Sequence, residues 1–296
     1  MRSLVIRVLF LPLCLLSAPI AVAIPQASFV ELRSYKKPID VSKISVADPI
    51  WKSVSVYKQP LQRQFLVDPK PADVGVKEIS VQSIYDGTAI AIRLSWQDTT
   101  KNDQPSITDF SDGASIEFPV HRDPLPEFFM GAPNRPVHLL HWRAWRSRDQ
   151  AQGFQTVKSA YPNMVSEMYN FDYKVNGKGT EHTDKEKEMF TPGRAANNPL
   201  SFPHNQIIEE ANAEGPGTLK SKGIENTSGE GIWENGKWSV VFCRPLHVND
   251  ANSVQFGVGE KTPIAFAVWE GSMGEVGGRK AVSAAWAEIL LERVAP

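Results

Sequence analysis

One methionine of the chain has surroundings that suit a metal ligand. Met130 follows Phe128 and Phe129 in a loop that also contains Pro124 and Pro126. A thioether held among aromatic side chains is a soft ligand of the kind that binds haem iron. Methionine also fills gaps in apolar cores, which is the commoner role of any single methionine. Spacing alone leaves both interpretations of Met130 open.

Two histidines are the second candidates for metal chemistry. His138 and His141 lie three residues apart in a run with the composition of a strand, Val137–Trp145. Side chains at odd spacings on a strand point to opposite faces of the sheet, so the two imidazoles are poorly placed to share one metal ion. We predict that one histidine is buried in the core or lies beside a cofactor, and that the other lies at the surface.

Several tryptophans could form either a core or a ligand site. Flat aromatic rings can wall a porphyrin or stack on sugar rings, because a flat apolar ligand needs flat apolar neighbours. Composition alone favours the core. The residues in question are Trp142, Trp145, Trp233, Trp238, Trp269 and Trp286.

The sequence lacks the common catalytic signatures and the features of several binding classes. It contains no Gly-x-Ser-x-Gly, no His-Glu-x-x-His, no phosphate-binding loop and no dinucleotide fingerprint. Among its 296 residues are 32 basic and 33 acidic side chains, and the formal net charge of −1 argues against a basic nucleic-acid surface. Two cysteines cannot supply a disulfide framework, a four-cysteine zinc site or an iron–sulfur cluster.

The first residues have the pattern of a secretory signal peptide. Arg2 and Arg7 precede the apolar stretch Val8–Leu16, and the segment ends at Ala23 in an Ala-x-Ala motif. The alternative is a membrane anchor. It is disfavoured because a span takes about 20 apolar residues, whereas prolines lie within and beside this stretch.

Cleavage after Ala23 has consequences for the mature chain. It would leave residues 24–296 and remove two arginines, which lowers the formal net charge from −1 to −3. Cys14 would be removed with the signal, and the remaining Cys243 cannot form an internal disulfide. No Cys-x-x-Cys-His motif is present for covalent haem attachment. We predict an exported, soluble, periplasmic protein with one domain over residues 24–296.

Short strand patterns separated by turn signals recur along the chain. Val76–Tyr85 and Ala89–Trp96 alternate on either side of Asp86-Gly87, which predicts a β-hairpin with a type I′ turn. Asn235-Gly236 predicts a second hairpin. With no competing amphipathic helix, the pattern indicates an all-β fold, an antiparallel β-sandwich with long irregular loops and a few short helices. Further predicted strands are Ala114–Val120, Val137–Trp145, Gly231–Glu234, Trp238–Cys243, Val254–Val258, Pro263–Trp269 and Ala284–Arg293.

The stretch Arg146–Glu230 departs from this pattern, because it is polar and shows little periodicity. Unpatterned chain of this length within a compact domain is usually functional or part of an interface. The plainer alternative is a set of solvated loops with a helical turn or two. Both interpretations stay open on the sequence.

Motifs over most of the chain resemble one family of proteins. The family comprises the haem-b-binding γ subunits of periplasmic molybdenum oxidoreductases, such as ethylbenzene and dimethylsulfide dehydrogenases, selenate and chlorate reductases and nitrite oxidoreductase. The Ala-Phe-Ala-Val-Trp run with its downstream Gly-Gly-Arg-Lys is the most specific part. The matching segments are Ile92–Asp98, Asp112–Pro119, Glu209–Leu219, Gly231–Leu246, Phe256–Lys261, Pro263–Gly271 and Gly277–Ser283.

The resemblance implies a β-sandwich with one non-covalent b-type haem, whose axial ligands are a methionine and a lysine. Met130 matches the methionine by its place just before the histidine-bearing strand, and Lys280 matches the lysine of Gly-Gly-Arg-Lys. Lys261 is the alternative lysine, and Lys280 could instead be a solvated turn residue. Phe266 and Trp269, on the strand before Lys280, would line the porphyrin pocket.

The resemblance also implies what the protein does. It would be an electron-transfer subunit that makes and breaks no bonds itself. Its haem would relay electrons between the iron–sulfur subunit of a molybdenum oxidoreductase, whose molybdopterin subunit is catalytic, and a soluble periplasmic cytochrome c. Residues 146–230 would contribute to docking on the iron–sulfur subunit. The alternatives are a secreted carbohydrate-binding β-sandwich module and a haem protein that works without molybdenum partners.

Overall fold

A computed structural model describes residues 31–104, 108–154, 162–163, 192–196, 202, 206–222 and 226–293. The predicted signal peptide, residues 1–23, lies outside the described residues, as does the charged segment 180–188. None of the helices in the described part of the chain has both the length and the apolar character that crossing a bilayer requires.

Most regular structure is β-strand, as the sequence predicts. The strands are β1 Leu32–Lys36, β2 Tyr57–Pro60, β3 Gln62–Arg63, β4 Glu78–Tyr85, β5 Ala89–Gln97, β6 Gly113–Pro119, β7 Val137–Arg143, β8 Ile208–Ala213, β9 Lys220–Ser221, β10 Ser228–Trp233, β11 Lys237–Pro245, β12 Lys261–Trp269, β13 Ala281–Val282 and β14 Ala287–Leu291. Within the described residues the helices are α1 Ala144–Gln152 and α2 Pro192–Ala195, with 3-10 turns at Val41–Lys43, Pro49–Ser53 and Gly271–Met273.

The strands follow one another in the order β10-β11-β5-β4-β1-β14-β12-β6-β7-β8-β9. Strand β12 belongs to two sheets. Its residues Lys261–Ile264 pair with β14 in the first sheet, which also contains β1, β2, β4, β5, β10 and β11. Its residues Ala265–Trp269 pair with β6 in the second sheet, which also contains β3, β7, β8, β9 and β13. The predicted all-β sandwich is confirmed. Pairing is mixed rather than purely antiparallel, since β1 runs parallel to both β14 and β4.

The inner faces of the two sheets meet in an aromatic core. Trp96, Trp142 and Trp238 are buried, with ring centroids 6.1 Å apart for Trp96–Trp142 and 4.8 Å for Trp142–Trp238. Phe118 and Phe256 pack edge to face at 5.3 Å. Each fully buried side chain of this kind stabilises the fold by about 1.5–3 kcal/mol. The expectation that tryptophans form core is confirmed for Trp142 and Trp238.

The two predicted hairpins form, but the type I′ turn predicted at Asp86-Gly87 occurs instead at Asn235-Gly236. Asn235 and Gly236 have φ angles of 53° and 74°, the positive values that a type I′ turn requires at both positions. In the other hairpin only Gly87 has a positive φ, 111°. Its turn is instead closed by the Asp86 carboxylate, which accepts hydrogen bonds from the backbone of Thr88 at 2.7 Å and Ala89 at 2.8 Å. The type I′ prediction at Asp86-Gly87 is therefore wrong.

Two further predictions are corrected by the fold. Val254–Val258 forms no strand; Phe256 instead donates a backbone hydrogen bond to Leu246 O at 3.0 Å and packs in the core from a loop. The region 146–230 is not irregular throughout, because α1 extends into it and β8 and β9 lie within it. The sequence pattern does not predict strand β8, because its two glutamates, Glu209 and Glu210, are buried with polar partners although their residue type is typical of the surface.

Candidate functional site

A cavity of about 860 Å³ lies on the outer face of the second sheet. Its floor consists of alternate residues from three adjacent strands, β12, β6 and β7, which the strand register aligns in rows. The side chains between them on the same strands point to the other face and belong to the inter-sheet core. The three rows are Ala265-Glu117-Leu139, Ala267-Ser115-His141 and Trp269-Gly113-Arg143.

The middle of the floor is formed by small residues. Gly113, Ser115, Ala265 and Ala267 leave space above the sheet that larger side chains would fill. Phe266 is predicted to line the pocket, and it does border the cavity. Its side chain is nevertheless buried in the inter-sheet core, because it lies between Ala265 and Ala267 on β12 and so points to the opposite face of the sheet. The centre of the floor is therefore flat, and the larger polar and charged side chains lie around it.

Aromatic and aliphatic side chains form the walls of the cavity. The rim is unusually exposed: Phe65 is 54% and Leu66 47% accessible, and Leu219 and Val276 are also exposed. Exposed apolar side chains around a concave site are typical of a binding site for an apolar ligand. The other aromatic lining residues are Phe110, Phe128, Phe129, Trp145, Phe154 and Trp269.

Met130 and Lys280 meet in this cavity. The Lys280 amine Nζ lies 3.9 Å from the Met130 thioether Sδ, and both residues line the cavity. Lys280 directly precedes β13, and its carbonyl accepts a hydrogen bond from Gln64 N at 3.1 Å. Its amine also lies 4.9 Å from the centroid of the Trp269 ring. The structure thus brings both sequence-predicted site residues together.

The backbone holds Met130 in an uncommon conformation. Met130 has φ 73°, in the left-handed region that non-glycine residues rarely adopt. The Glu117 carboxylate accepts a hydrogen bond from Met130 N at 3.1 Å, and Gly215 N donates to Met130 O at 2.7 Å. The next residue, Gly131, also has a positive φ, and a Cβ there would lie 2.7 Å from Arg135 O. Contacts on both sides therefore fix the methionine at the cavity.

Charge in the cavity is disfavoured at Lys280 and at Glu117. Burial lowers the pKa of Lys280, an effect that the charge of Glu117 opposes. Burial raises the pKa of Glu117 to about 8, although the charge of Lys280 and the Met130 N–H act to lower it. A lysine must be neutral to donate its lone pair to a metal, and a lowered pKa favours that form.

The two histidines face opposite sides of the second sheet, as the odd spacing predicts. His138 is completely buried, with Nε2 3.2 Å from Glu210 Oε2 and Nδ1 accepting from Val254 N at 3.4 Å. His141 lines the cavity and stacks on Trp269, with centroids 4.9 Å apart, and burial lowers its pKa well below the usual value. The prediction of a surface histidine is wrong, because one lies in the core and the other in the cavity floor.

Lys261, the alternative ligand, lies outside the cavity lining. It is exposed at the start of β12, where Nζ lies 2.8 Å from Glu31 Oε1 and 3.3 Å from Glu288 Oε2. Among the described residues its amine is therefore engaged by two carboxylates and is remote from the methionine loop.

Basic side chains occupy one edge of the cavity. Arg143 and Arg148 both line it. Arg143 Nη1 donates to Glu209 Oε2 at 2.6 Å, and Arg148 pairs with Asp149. The Arg148 Nε is buried and has no hydrogen-bond partner in the described part of the chain. This edge suits the acidic groups of a ligand whose body is apolar.

The family pattern described as ethylbenzene dehydrogenase matches residues 48–281, which include both Met130 and Lys280 and all three floor strands. The chain belongs to the ethylbenzene dehydrogenase family.

Two relatives of this chain have names that describe subunits of reductases. A protein of Haloferax mediterranei, named a respiratory nitrate reductase heme subunit (ORF7), is 25% identical over 79% of this chain and 63% of its own length. The chain thus spans less than two thirds of that relative. Chlorate reductase subunit gamma of Ideonella dechloratans is 24% identical over 90% of this chain and 87% of its own length.

Among solved structures, a family 9 carbohydrate binding module from Caldicellulosiruptor kristjanssonii in complex with glucose is similar to this chain. The superposition covers 90% of this chain and 98% of the module, at 9% sequence identity and a TM-score of 0.38. A TM-score of this size assigns neither a shared function nor a ligand.

Sequence reasoning missed several residues of this family member's site. Glu117 is the most important, because it contacts the Met130 backbone and acts electrostatically on Lys280. A signal was available, since Glu117 is the only charged residue within the apolar strand Ala114–Val120. Phe65 and Phe154 lie far from the methionine loop in sequence, and no local pattern connects them to it.

Proposed function

We propose that this protein is a non-catalytic electron-transfer subunit that binds one b-type haem through Met130 and Lys280. The observation that carries the proposal is the 3.9 Å separation of the Met130 thioether and the Lys280 amine within an apolar cavity. Methionine sulfur combined with a neutral nitrogen ligand is a known donor set for haem iron, and a neutral lysine amine would supply such a nitrogen.

The residues that line the cavity suit the binding of a haem. The Met130 sulfur and the Lys280 nitrogen lie close enough that both would hold one metal ion after small movements of their side chains. The low floor of Gly113, Ser115, Ala265 and Ala267 leaves room for a flat ring, and the apolar rim would cover its faces. Arg143 and Arg148 line one edge, where they would pair with the carboxylates of the haem in addition to their present partners Glu209 and Asp149.

When bound, the haem supplies a one-electron redox couple, and the chain's residues determine its environment. Met130 and Lys280 would fill both axial positions and leave none for a substrate. Lys280 would bind as the neutral amine, which burial favours by lowering its pKa. Because this chain would supply both ligands, they need not change when an electron arrives or leaves. These properties support electron transfer rather than catalysis.

The proposed partners follow from the names of the relatives. A chlorate reductase gamma subunit and a nitrate reductase heme subunit are parts of multi-subunit reductases by name. For this chain we propose a molybdopterin-containing catalytic subunit, an iron–sulfur subunit and a soluble periplasmic cytochrome c as partners. The signal-peptide pattern of residues 1–23 supports a periplasmic location.

Purification of the native protein tests the proposal. We expect a Soret band, one haem per chain that acid–acetone extracts without covalent attachment, and co-purification of molybdopterin and iron–sulfur subunits. Reduced protein should pass electrons to a soluble cytochrome c. A haem-free protein that binds oligosaccharides would overturn the proposal in favour of a carbohydrate-binding module. Haem without co-purifying subunits would overturn the assignment of partners.

A further inference from the structure

A second group of side chains with potential chemistry lies outside the haem cavity. Asp98, Asp112 and Glu270 each place one carboxylate oxygen within 4.8 Å of the other two. Asp98 follows β5, Asp112 precedes β6 and Glu270 follows β12, so the cluster joins strand ends from both sheets. Asp98 is 4% exposed and Asp112 is fully buried.

Hydrogen bonds, but no ion pairs among the described residues, stabilise the negative charge of this cluster: Asp112 Oδ2 accepts from Asn102 N at 2.8 Å and from Trp238 Nε1 at 2.9 Å, and Glu270 Oε1 accepts from Ser272 N at 3.2 Å. In the part of the chain that the structure describes, no basic side chain forms an ion pair with any of the three carboxylates, and the adjacent Lys101 pairs with Asp103 at 2.8 Å. Burial raises the pKa of Asp112 to about 7, and the charge of Asp98 adds to this effect. Burial and the charge of Glu270 also raise the pKa of Asp98. The protein alone leaves the cluster electrostatically unfavourable.

One oxygen of the cluster has no hydrogen-bond partner. Asp98 Oδ1 accepts from Thr100 N at 3.0 Å, whereas the buried Oδ2 accepts from no described group. The Trp96 indole is close enough to lower the pKa of Asp98, but neither Trp96 Nε1 nor Asp98 Oδ2 has a partner with hydrogen-bonding geometry. An unpaired buried carboxylate oxygen is costly, and a cation would satisfy it.

Neutral oxygens complete the surroundings of the carboxylates. Thr100 Oγ1 lies 2.9 Å from Asn102 Oδ1 and 3.4 Å from Glu270 Oε1. Asp112 Oδ1 accepts a single hydrogen bond, from Gly271 N at 2.8 Å, and a carboxylate oxygen has a second lone pair to offer. The candidate donor set therefore consists of oxygen atoms from Asp98, Thr100, Asn102, Asp112 and Glu270.

We propose that Asp98, Asp112 and Glu270 bind one Ca²⁺ ion. Calcium takes six to eight oxygen ligands in flexible geometry, including carboxylates and side-chain amide oxygens. Magnesium demands a near-ideal octahedron and keeps several waters, which two buried aspartates do not favour. Transition metals prefer nitrogen or sulfur ligands, and this cluster offers none. The site stands independently of the haem proposal.

The ion would hold together the strand ends at one end of the cavity floor. Asp112 adjoins Gly113, Glu270 adjoins Trp269, and these two floor residues are paired across β6 and β12. Calcium would thus fix the ends of two floor strands to the end of β5 without contributing a ligand to the haem. Its removal should lower the thermal stability of the fold while leaving Met130 and Lys280 in place.

Calcium titration of the purified, EDTA-treated protein tests the site. Calorimetry with CaCl₂ alone should show one ion per chain, and Ca²⁺ at 100 times Kd should raise Tm by about 5 °C. The isosteric variants Asp98→Asn and Glu270→Gln should each bind Ca²⁺ at least tenfold more weakly. Asp103→Asn, in the same loop but outside the cluster, should bind like the wild type.

The metal-free variants supply an independent readout. Asp98→Asn removes one of three neighbouring negative charges, so its metal-free Tm should equal or exceed that of the metal-free wild type. If either variant fails to fold, the wild-type titration decides alone. Absence of Ca²⁺ binding up to about 10 mM, beyond the weakest extracellular calcium modules, would overturn the site. Equal weakening by Asp103→Asn would overturn the residue assignment, and equal affinity for Mg²⁺ would overturn the choice of calcium.

Discussion

The Lys280 amine lies 3.9 Å from the Met130 thioether, although 150 residues separate them in sequence. Met130 is presented by the loop before β7 and Lys280 by the loop before β13, and strands β6, β7 and β12 form the cavity floor. Burial disfavours the charge on the amine, and the thioether carries none. Both atoms can therefore offer lone pairs to one metal ion.

Replacement of either residue should open one side of the proposed iron site. We expect Met130→Ala to convert a six-coordinate, low-spin haem into one with a free position that binds carbon monoxide and has a shifted potential. Lys280→Ala should do the same from the other side. Visible spectra and carbon monoxide titration of each purified variant provide the measurement.

Other lysine and histidine variants serve as controls for these two replacements. Lys261→Ala should leave the spectrum unchanged, because this lysine is exposed and paired with Glu31 and Glu288. His138→Ala and His141→Ala test the histidine alternative. Normal low-spin spectra in both the Met130 and Lys280 variants would contradict the assignment, and loss of a ligand in a histidine variant would replace it.

Glu117 is expected to act as a positioning residue for Met130. Its carboxylate accepts the Met130 N–H at 3.1 Å and faces away from the core. Glu117→Ala should release that contact, cost about 1 kcal/mol of stability and give a mixture of six- and five-coordinate haem. Glu117→Gln retains an oxygen acceptor and should restore the wild-type spectrum. If Ala and Gln variants have the same spectrum, the hydrogen bond does not position the methionine.

The strands that carry the site could be predicted from the sequence, because their alternation is local. In β6 the cavity-lining Gly113, Ser115 and Glu117 alternate with the buried apolar Ala114, Ile116 and Phe118, and cavity-facing and core-facing residues also alternate along β7 and β12. What the sequence leaves open is the register. The alignment of Ala267, Ser115 and His141 in one row depends on cross-strand pairing between distant segments, and a one-residue slip would move every side chain to the other face.

Elements without a local pattern could not be predicted. Strand β13 has two residues and exists because β12 and β3 offer pairing partners on both sides. The parallel pairing of β1 depends on strands about 50 and 250 residues away. Val254–Val258 has the alternation of a strand, but it packs as a loop that caps His138 and the core.

Export should produce a mature chain that begins at Ile24. The basic start, the interrupted apolar stretch and the Ala-x-Ala motif ending at Ala23 support this expectation. N-terminal sequencing of protein from the native cell provides the measurement. A membrane-embedded protein that retains Met1 would contradict it.

The segment 180–188 should contribute to assembly with the iron–sulfur subunit. It is the most charged part of the polar stretch 146–230 and lies outside the described residues. We expect its deletion to reduce co-purification of the partner subunits. An unchanged yield of complex would show that the segment is only a solvated loop.

The buried pair His138–Glu210 should make the fold sensitive to acid. Burial lowers the pKa of His138 from 6.5 to about 4, and hydrogen bonds from His138 and Thr227 lower the pKa of Glu210 from 4.5 to about 2 although burial opposes them. Because Val254 N donates to Nδ1, the proton of the neutral ring lies on Nε2 and faces Glu210. Protonation of Nδ1 would break the Val254 contact.

Both lowered pKa values act in the same direction. The unfolded histidine binds a proton below about pH 6.5 whereas the folded one does so only below about 4, so stability is lost as pH falls through that window. The glutamate adds a further loss between about 4.5 and 2. The histidine alone accounts for about 3 kcal/mol, since one pKa unit corresponds to about 1.4 kcal/mol. Urea unfolding of the wild type should show this loss between pH 7 and 4, and His138→Gln should flatten it. A pH profile that His138→Gln leaves unchanged would assign the acid sensitivity to other groups.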